Sequence, residues 1–141
     1  MFLKVELLES DLNNDFYNIL TAIKKNMYIL NDIQRYDITD KTILAICLHE
    51  SLMDKNYVSK KGAIGLTGIM PITAKQHKYK KEEMFDIEKN ISCCISHLKW
   101  ISIQNNNKKE ILLKYFWGNK KIKNEKYYLK IIEKEKMIKN F

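Results

Sequence analysis

The stretch KTILAICLHESLMDKNYVSKKGAIGLTGIMPITA, residues 41–74, changes character twice along its length. Ile43, Leu44, Ile46, Cys47 and Leu48 follow one another almost without a polar break, which predicts a helix buried on every side, with Asp37 to Asp40 offering caps. Glu50 rides near the end of that helix. Three of the four glycines, Gly62, Gly65 and Gly68, then fall at three-residue steps and predict backbone that other residues adopt poorly. Pro71 suits the first turn of a further short helix to about His77, because its missing N–H has no partner there anyway.

Either side of this stretch the pattern is helical. Leu12, Phe16, Ile19, Leu20, Ile23, Met27 and Leu30 recur at three- and four-residue steps, predicting an amphipathic helix over 12–30. Asp86 caps a longer helix whose inward face is Ile87, Ile91, Cys94, Ile95, Leu98 and Ile101. Glu110 to Trp117, stopped by Gly118, and Lys126 to Ile138 complete the set, with Asn105 to Asn107 as a loop. With 141 residues, four glycines and one proline, the chain reads as one all-α domain over 1–141. Too little punctuation is present for a sandwich or barrel of short strands.

The net charge of +8 points to a polyanionic partner: nucleic acid, an anionic membrane face or a carboxylate- and phosphate-bearing wall. Of 25 basic residues only Arg35 is an arginine, the side chain suited to bidentate reading of bases and phosphates, so sequence-specific DNA binding loses ground. The lysine-rich stretch Lys120 to Lys139, interleaved with Tyr127, Tyr128, Ile131, Ile132 and Ile138, fits a packed helix with a solvated basic face or an electrostatic tether. Cys47, Cys93 and Cys94 cannot pair completely, have no metal-ligand spacing and read as small core residues. No apolar run reaches the ~18 residues of a membrane span. Lys4, Glu6 and Glu9 interrupt the segment where a secretory signal needs an apolar run, so no such signal is expected.

Glu50 is the chemically notable group. Burial at the end of an apolar helix disfavours a carboxylate and raises its pKa, which prepares it to donate a proton. A glutamate at a helix end that points to water is the alternative. His49 is its neighbour, but adjacent helical residues point about 100° apart, which argues against a dyad. His77 and His97 show no partner spacing.

Read together, Glu50-Ser51, Ser59, Gly62 to Leu66 (GAIGL), Ile69 to Ala74 (IMPITA), Asn90-Ile91, Tyr115 to Gly118 and Tyr128-Leu129 resemble the soluble lytic transglycosylase family over about residues 40–130. The resemblance implies a mainly helical, lysozyme-like fold, to which residues 12–30 add a helix. It also implies cleavage of the bond between N-acetylmuramic acid and N-acetylglucosamine in peptidoglycan, without a metal or organic cofactor. By it, Glu50 is general acid and then general base, and the muramic C6 hydroxyl closes a 1,6-anhydro ring. Ordinary glycosidases place two carboxylates across the bond. Here the substrate's acetamido group is expected to stand in for the second, and Asp54 is read as structural through local backbone bonds.

The resemblance also implies that Ser51 orients the acid or an acetamido group. By it Gly62, Ala63, Gly65 and Leu66 form the cleft wall, with Leu66 packing inward; Ser59, just ahead of them, and Phe116 contact the substrate; Met70 lines the cleft, and Tyr115 and Tyr128 lie near the reacting sugar. Two segments depart from the family pattern: Thr67-Gly68 stands where Met-Gln is usual, and Phe116-Trp117 where Asn-Ala is usual. Two alternatives therefore stay open beside the lytic enzyme, a hydrolase of lysozyme type and a glycan-binding or assembly module that has lost turnover. Secretion, conjugation or phage assemblies are plausible settings, a monomer acting in the periplasm or cell envelope is expected, and the export route is open.

Overall fold

A computed structural model describes residues 15–105, 107–120 and 124–138. It is helical, with α1 (15–25), α2 (Met27–Leu30), α3 (Asp40–Ser51), α4 (Pro71–Gln76), α5 (Ile87–Ser102), α6 (Lys108–Trp117) and α7 (Lys126–Met137). Short 3₁₀ segments, Asn31–Tyr36 and Lys81–Phe85, lead out of α2 and into α5. Among the described residues β structure is limited to isolated antiparallel bridges, Val58 with Ile64 and Ile64 with Ile69.

The α3 helix is the axis of the molecule. Thr42 to Leu48 are all buried, as the unbroken apolar run predicts, so α3 is covered on every side. It starts at Thr39, whose backbone N–H donates to the Thr42 hydroxyl at 3.0 Å. α7 packs along it, α6 packs on α7 and α5, and α2 lies against α5. On α5 the buried residues Ile91, Cys94, Ile95, Leu98 and Ile101 form the inward stripe, and the Asp86 carboxylate caps its first turn by accepting from the Lys89 N–H at 2.9 Å. Asn107 does the same for α6, which therefore begins two residues before the Glu110 of the sequence expectation. All three cysteines are free and buried, as core residues.

The expected helix over 12–30 differs. Residues before 15 lie outside the described part, and the remainder breaks at Asn26, whose amide donates to the Ala22 carbonyl at 2.8 Å. An asparagine that bonds to its own backbone offers the chain a turn in place of a helix.

A polar tie closes the far side of the bundle. The Lys108 ammonium lies 2.7 and 2.9 Å from the two Glu135 oxygens, and the Thr42 hydroxyl donates to the same carboxylate at 2.5 Å. The Lys108 and Glu135 side chains are 11% and 15% exposed, so α3, α6 and α7 meet on a nearly dry ion pair. Removing Glu135 leaves Lys108 only the longer contact to the exposed Asp37 carboxylate at 3.5 Å. Glu135→Ala is expected to cost about 3 kcal/mol in urea unfolding. The double variant Lys108→Met/Glu135→Leu should recover most of that loss, because no charge is left unpaired.

Candidate active site

The chain leaves α3 sharply. Leu52 and Met53 both take left-handed backbone, φ 53° and 65°, and turn the following loop back across the end of the helix that carries Glu50. Ser59 closes the first part of that loop: its N–H donates to the Ala63 carbonyl at 2.9 Å, and its hydroxyl accepts from the Ala63 N–H at 3.0 Å. The Ile64 and Ile69 backbones then exchange two hydrogen bonds, 2.8 and 3.0 Å, across a reversal made by Gly65, Leu66, Thr67 and Gly68.

This reversal is the wall that faces the acid. It is held at consecutive residues. The Ser51 hydroxyl lies 2.9 Å from the Leu66 carbonyl and 3.1 Å from that of Cys47. The Thr67 N–H and hydroxyl both donate to the Asn90 side-chain oxygen, at 3.1 and 2.5 Å. The Tyr115 hydroxyl donates to the Thr67 carbonyl at 2.8 Å. Asn90, fully buried on α5, spends its remaining donors on the Ile64 and Met84 carbonyls, so a single side chain satisfies four groups of the wall and its surroundings.

Gly65 and Gly68 are required here for different reasons. A Cβ on Gly65 would sit 2.3 Å from the Met84 carbonyl oxygen and 2.5 Å from the Asn90 amide nitrogen. Gly68 holds φ 67°, and a Cβ there would lie 3.0 Å from Glu50 Oε1. The backbone of the wall thus comes directly against the carboxyl group.

Glu50 itself is half-buried. Burial pushes its pKa from the ordinary 4.5 up to about 7, and the nearby Tyr127 hydroxyl pulls it partly back. Among the described residues no second acidic side chain contributes to that shift. Tyr127 is 3% exposed, and its hydroxyl, although beside the carboxyl, makes no aligned hydrogen bond. It lies close enough to the acid to favour the ionised carboxyl group. Burial, then the adjoining carboxylate, raises the Tyr127 pKa, so the hydroxyl stays protonated at neutral pH. Its ring stacks on Phe116 at 4.4 Å and meets His49 edge-on at 5.3 Å. Cys47 and Cys94 lie behind the site with their thiol pKa values raised by burial, which keeps them protonated and inert.

Several expectations need amendment. The α7 tyrosine beside the acid is Tyr127, not Tyr128, which is half-buried and packs at the edge of the core. Tyr127 and the buried Ile131 stand four apart on one face, a spacing that marks Tyr127 as the inward residue. Ser51, 5% exposed, faces the Leu66 and Cys47 carbonyls and so ties the end of α3 to the wall. Tyr115 also serves the wall, through Thr67. Leu66 is buried in the core, the inward packing expected of it. Met70 is exposed at the start of α4, and Gly62 and Ala63 are half-buried on the loop. Asp54 is exposed and accepts from the Asn56 N–H at 2.9 Å, the local backbone role read from its position. His77 and His97, unpaired in the sequence reading, are brought together by α4 and α5.

A groove of about 440 Å³ between the end of α5 and α6 is lined by Gln104, Glu110, Lys114 and Trp117 among others, and does not include Glu50. Among the described residues no cluster of three or more His, Cys, Asp or Glu side chains is placed to hold a metal ion.

No curated protein matches the chain significantly. The family model of the transglycosylase SLT domain matches residues 27–138, from α2 through α7 and across every element that builds the Glu50 site. The chain belongs to the transglycosylase SLT domain family, with its lysozyme-like all-helical fold and a lytic activity directed at peptidoglycan.

Proposed function

We propose that the protein cleaves the bond between N-acetylmuramic acid and N-acetylglucosamine, with Glu50 as its one acid and base. The observation that carries this reading is a carboxyl group raised to about 7 by burial against the Gly65–Gly68 wall, with no partner acid among the causes of its shift. At neutral pH a large share of such a group is protonated. Glu50 gives its proton to the bridging oxygen as the C1–O4 bond breaks, and the N-acetylglucosamine leaves with a free hydroxyl. The muramic C6 hydroxyl then bonds to C1 and returns its proton to the Glu50 carboxylate, leaving a 1,6-anhydro end. Proton and charge balance without water, which suits a site with a single carboxyl group.

Tyr127 supports this cycle by its hydroxyl, which favours the ionised form and so stabilises the carboxylate during the interval when Glu50 has lost its proton. On this reading Gly62, Ala63, Met70 and the 45%-exposed Phe116 meet the substrate, and Ser59 shapes the loop that carries the first two. Gly68 lets the backbone lie against Glu50, where even a Cβ would crowd the carboxyl group. The substrate puts the site of action in the cell envelope, and the chain works there as a monomer. Among the described residues no helix is long and apolar enough to cross a membrane.

Mass spectrometry of the soluble fragments from purified sacculi tests the reaction class. Anhydro-muramic ends are expected; reducing ends alone would assign a hydrolase, and binding without release would assign a glycan-binding module. The pH profile tests the acid. The proton must be present at the start of the cycle, so activity should fall as pH rises through about 7, approaching tenfold per unit above it.

A further inference from the structure

His77 closes α4 and His97 lies on α5, and their facing nitrogens, Nε2 and Nδ1, are 2.9 Å apart. At that separation one hydrogen lies between the rings. The His97 ring stacks on Trp100 at 5.7 Å and leans on Tyr115 at 5.9 Å. Tyr115 in turn holds the Thr67 carbonyl at 2.8 Å, one residue before the glycine that faces Glu50. A continuous line of contacts therefore runs from the histidine pair to the acid.

We infer that His77 and His97 form a one-proton clamp that positions the Gly65–Gly68 wall against Glu50, closed while at least one facing nitrogen is free of hydrogen. The inference rests on the proposed role of Glu50 and adds positioning residues to it. A first proton keeps the clamp shut, because imidazolium donates to imidazole as well as a neutral ring does. A second proton places hydrogens on both facing nitrogens and like charges on both rings, so the rings must part. The groups that face the pair are the Tyr115 hydroxyphenyl from α6 and the Trp100 indole from α5. Among the described residues no ion pair reaches either ring. Burial and the His77 charge hold His97 down at about 4, whereas His77 is lowered by burial alone. Opening is therefore expected as pH falls through about 4, well below the limb set by Glu50.

Imidazole NMR on the full chain, with activity on sacculi alongside, tests the clamp. The wild type should titrate in two coupled steps, the last near 4, with the Tyr115 ring signals moving in that step. Activity should fall with it, to about half at the midpoint and about tenfold per unit below. His77→Gln offers His97 an amide that can accept or donate. It should raise the His97 midpoint and remove the low-pH loss, while leaving activity at pH 6 within about twofold. Circular dichroism at pH 4 separates opening from unfolding. Independent titration of the two rings near 6.5, or a Tyr115 signal indifferent to the second proton, would overturn the clamp. Those readouts need no turnover, so they decide it even if the chain proves inactive on peptidoglycan; identical low-pH activity in wild type and His77→Gln would also overturn it.

Discussion

Glu50→Gln is expected to reduce release of soluble fragments from sacculi by 100-fold or more, the usual range for loss of a general acid. Glutamine keeps the shape of the side chain, so the Gly68 contact and the wall survive, and only the transferable proton is lost. The variant should also be the more stable protein at high pH. A carboxyl group whose pKa is raised on folding binds its proton more tightly in the folded state, so its presence costs stability as pH rises from 4.5 towards 7 and beyond. Near pH 8 the amide should therefore gain about 1–3 kcal/mol over wild type, and near pH 4 almost nothing. Differential scanning calorimetry at the two pH values reads this directly. A variant that is inactive and also more stable only at high pH cannot be dismissed as misfolded.

The second large effect is expected at Gly65. Its alanine variant must place a methyl group 2.3 Å from a backbone carbonyl and 2.5 Å from the buried Asn90 amide, in backbone at φ 76°. The carbonyl belongs to the Lys81–Phe85 segment and cannot swing away as a flexible side chain would. Asn90 cannot yield either without abandoning Ile64, Met84 and Thr67. Strained backbone, steric overlap and broken buried hydrogen bonds together should cost about 4 kcal/mol or more, enough to lower the urea midpoint sharply and abolish activity. Gly62→Ala is the matched comparison. Its added carbon meets nothing within 4 Å, so it bears the left-handed strain alone, about 1 kcal/mol.

Both predictions show which parts of the molecule were legible in the amino-acid order. The burial of α3 followed from an apolar run with no polar face to leave outside, and the inward stripe of α5 from its three- and four-residue steps. The glycines located the wall because positive φ and close approach are demands that a residue type reveals. The partners of the wall were hidden. Ser51, Asn90 and Tyr115 reach it from α3, α5 and α6 through bonds to backbone carbonyls and a buried threonine, and nothing in their spacing says that a tertiary contact will use them that way. The choice between Tyr127 and Tyr128 turns on one residue of helical register, which the buried pair Tyr127 and Ile131 decides once the face of α7 against α3 is known. The histidine pair joins residues twenty apart on separate helices, beyond the reach of any local pattern.

Phe116 and Gly68 make the site distinct within its own frame. The phenyl ring covers Tyr127 by stacking, and the glycine lets the wall's backbone lie against the carboxyl group, where a side chain would crowd it. Neither change touches the proton that Glu50 carries.

Carbon-13 NMR of the side-chain carboxyl groups, with the Glu50 signal assigned by its absence from Glu50→Gln, measures that proton. A midpoint near 7 is the predicted result. A midpoint at the ordinary glutamate value of 4.5 would mean a solvated carboxylate at neutral pH, and would contradict the account of Glu50 as the acid.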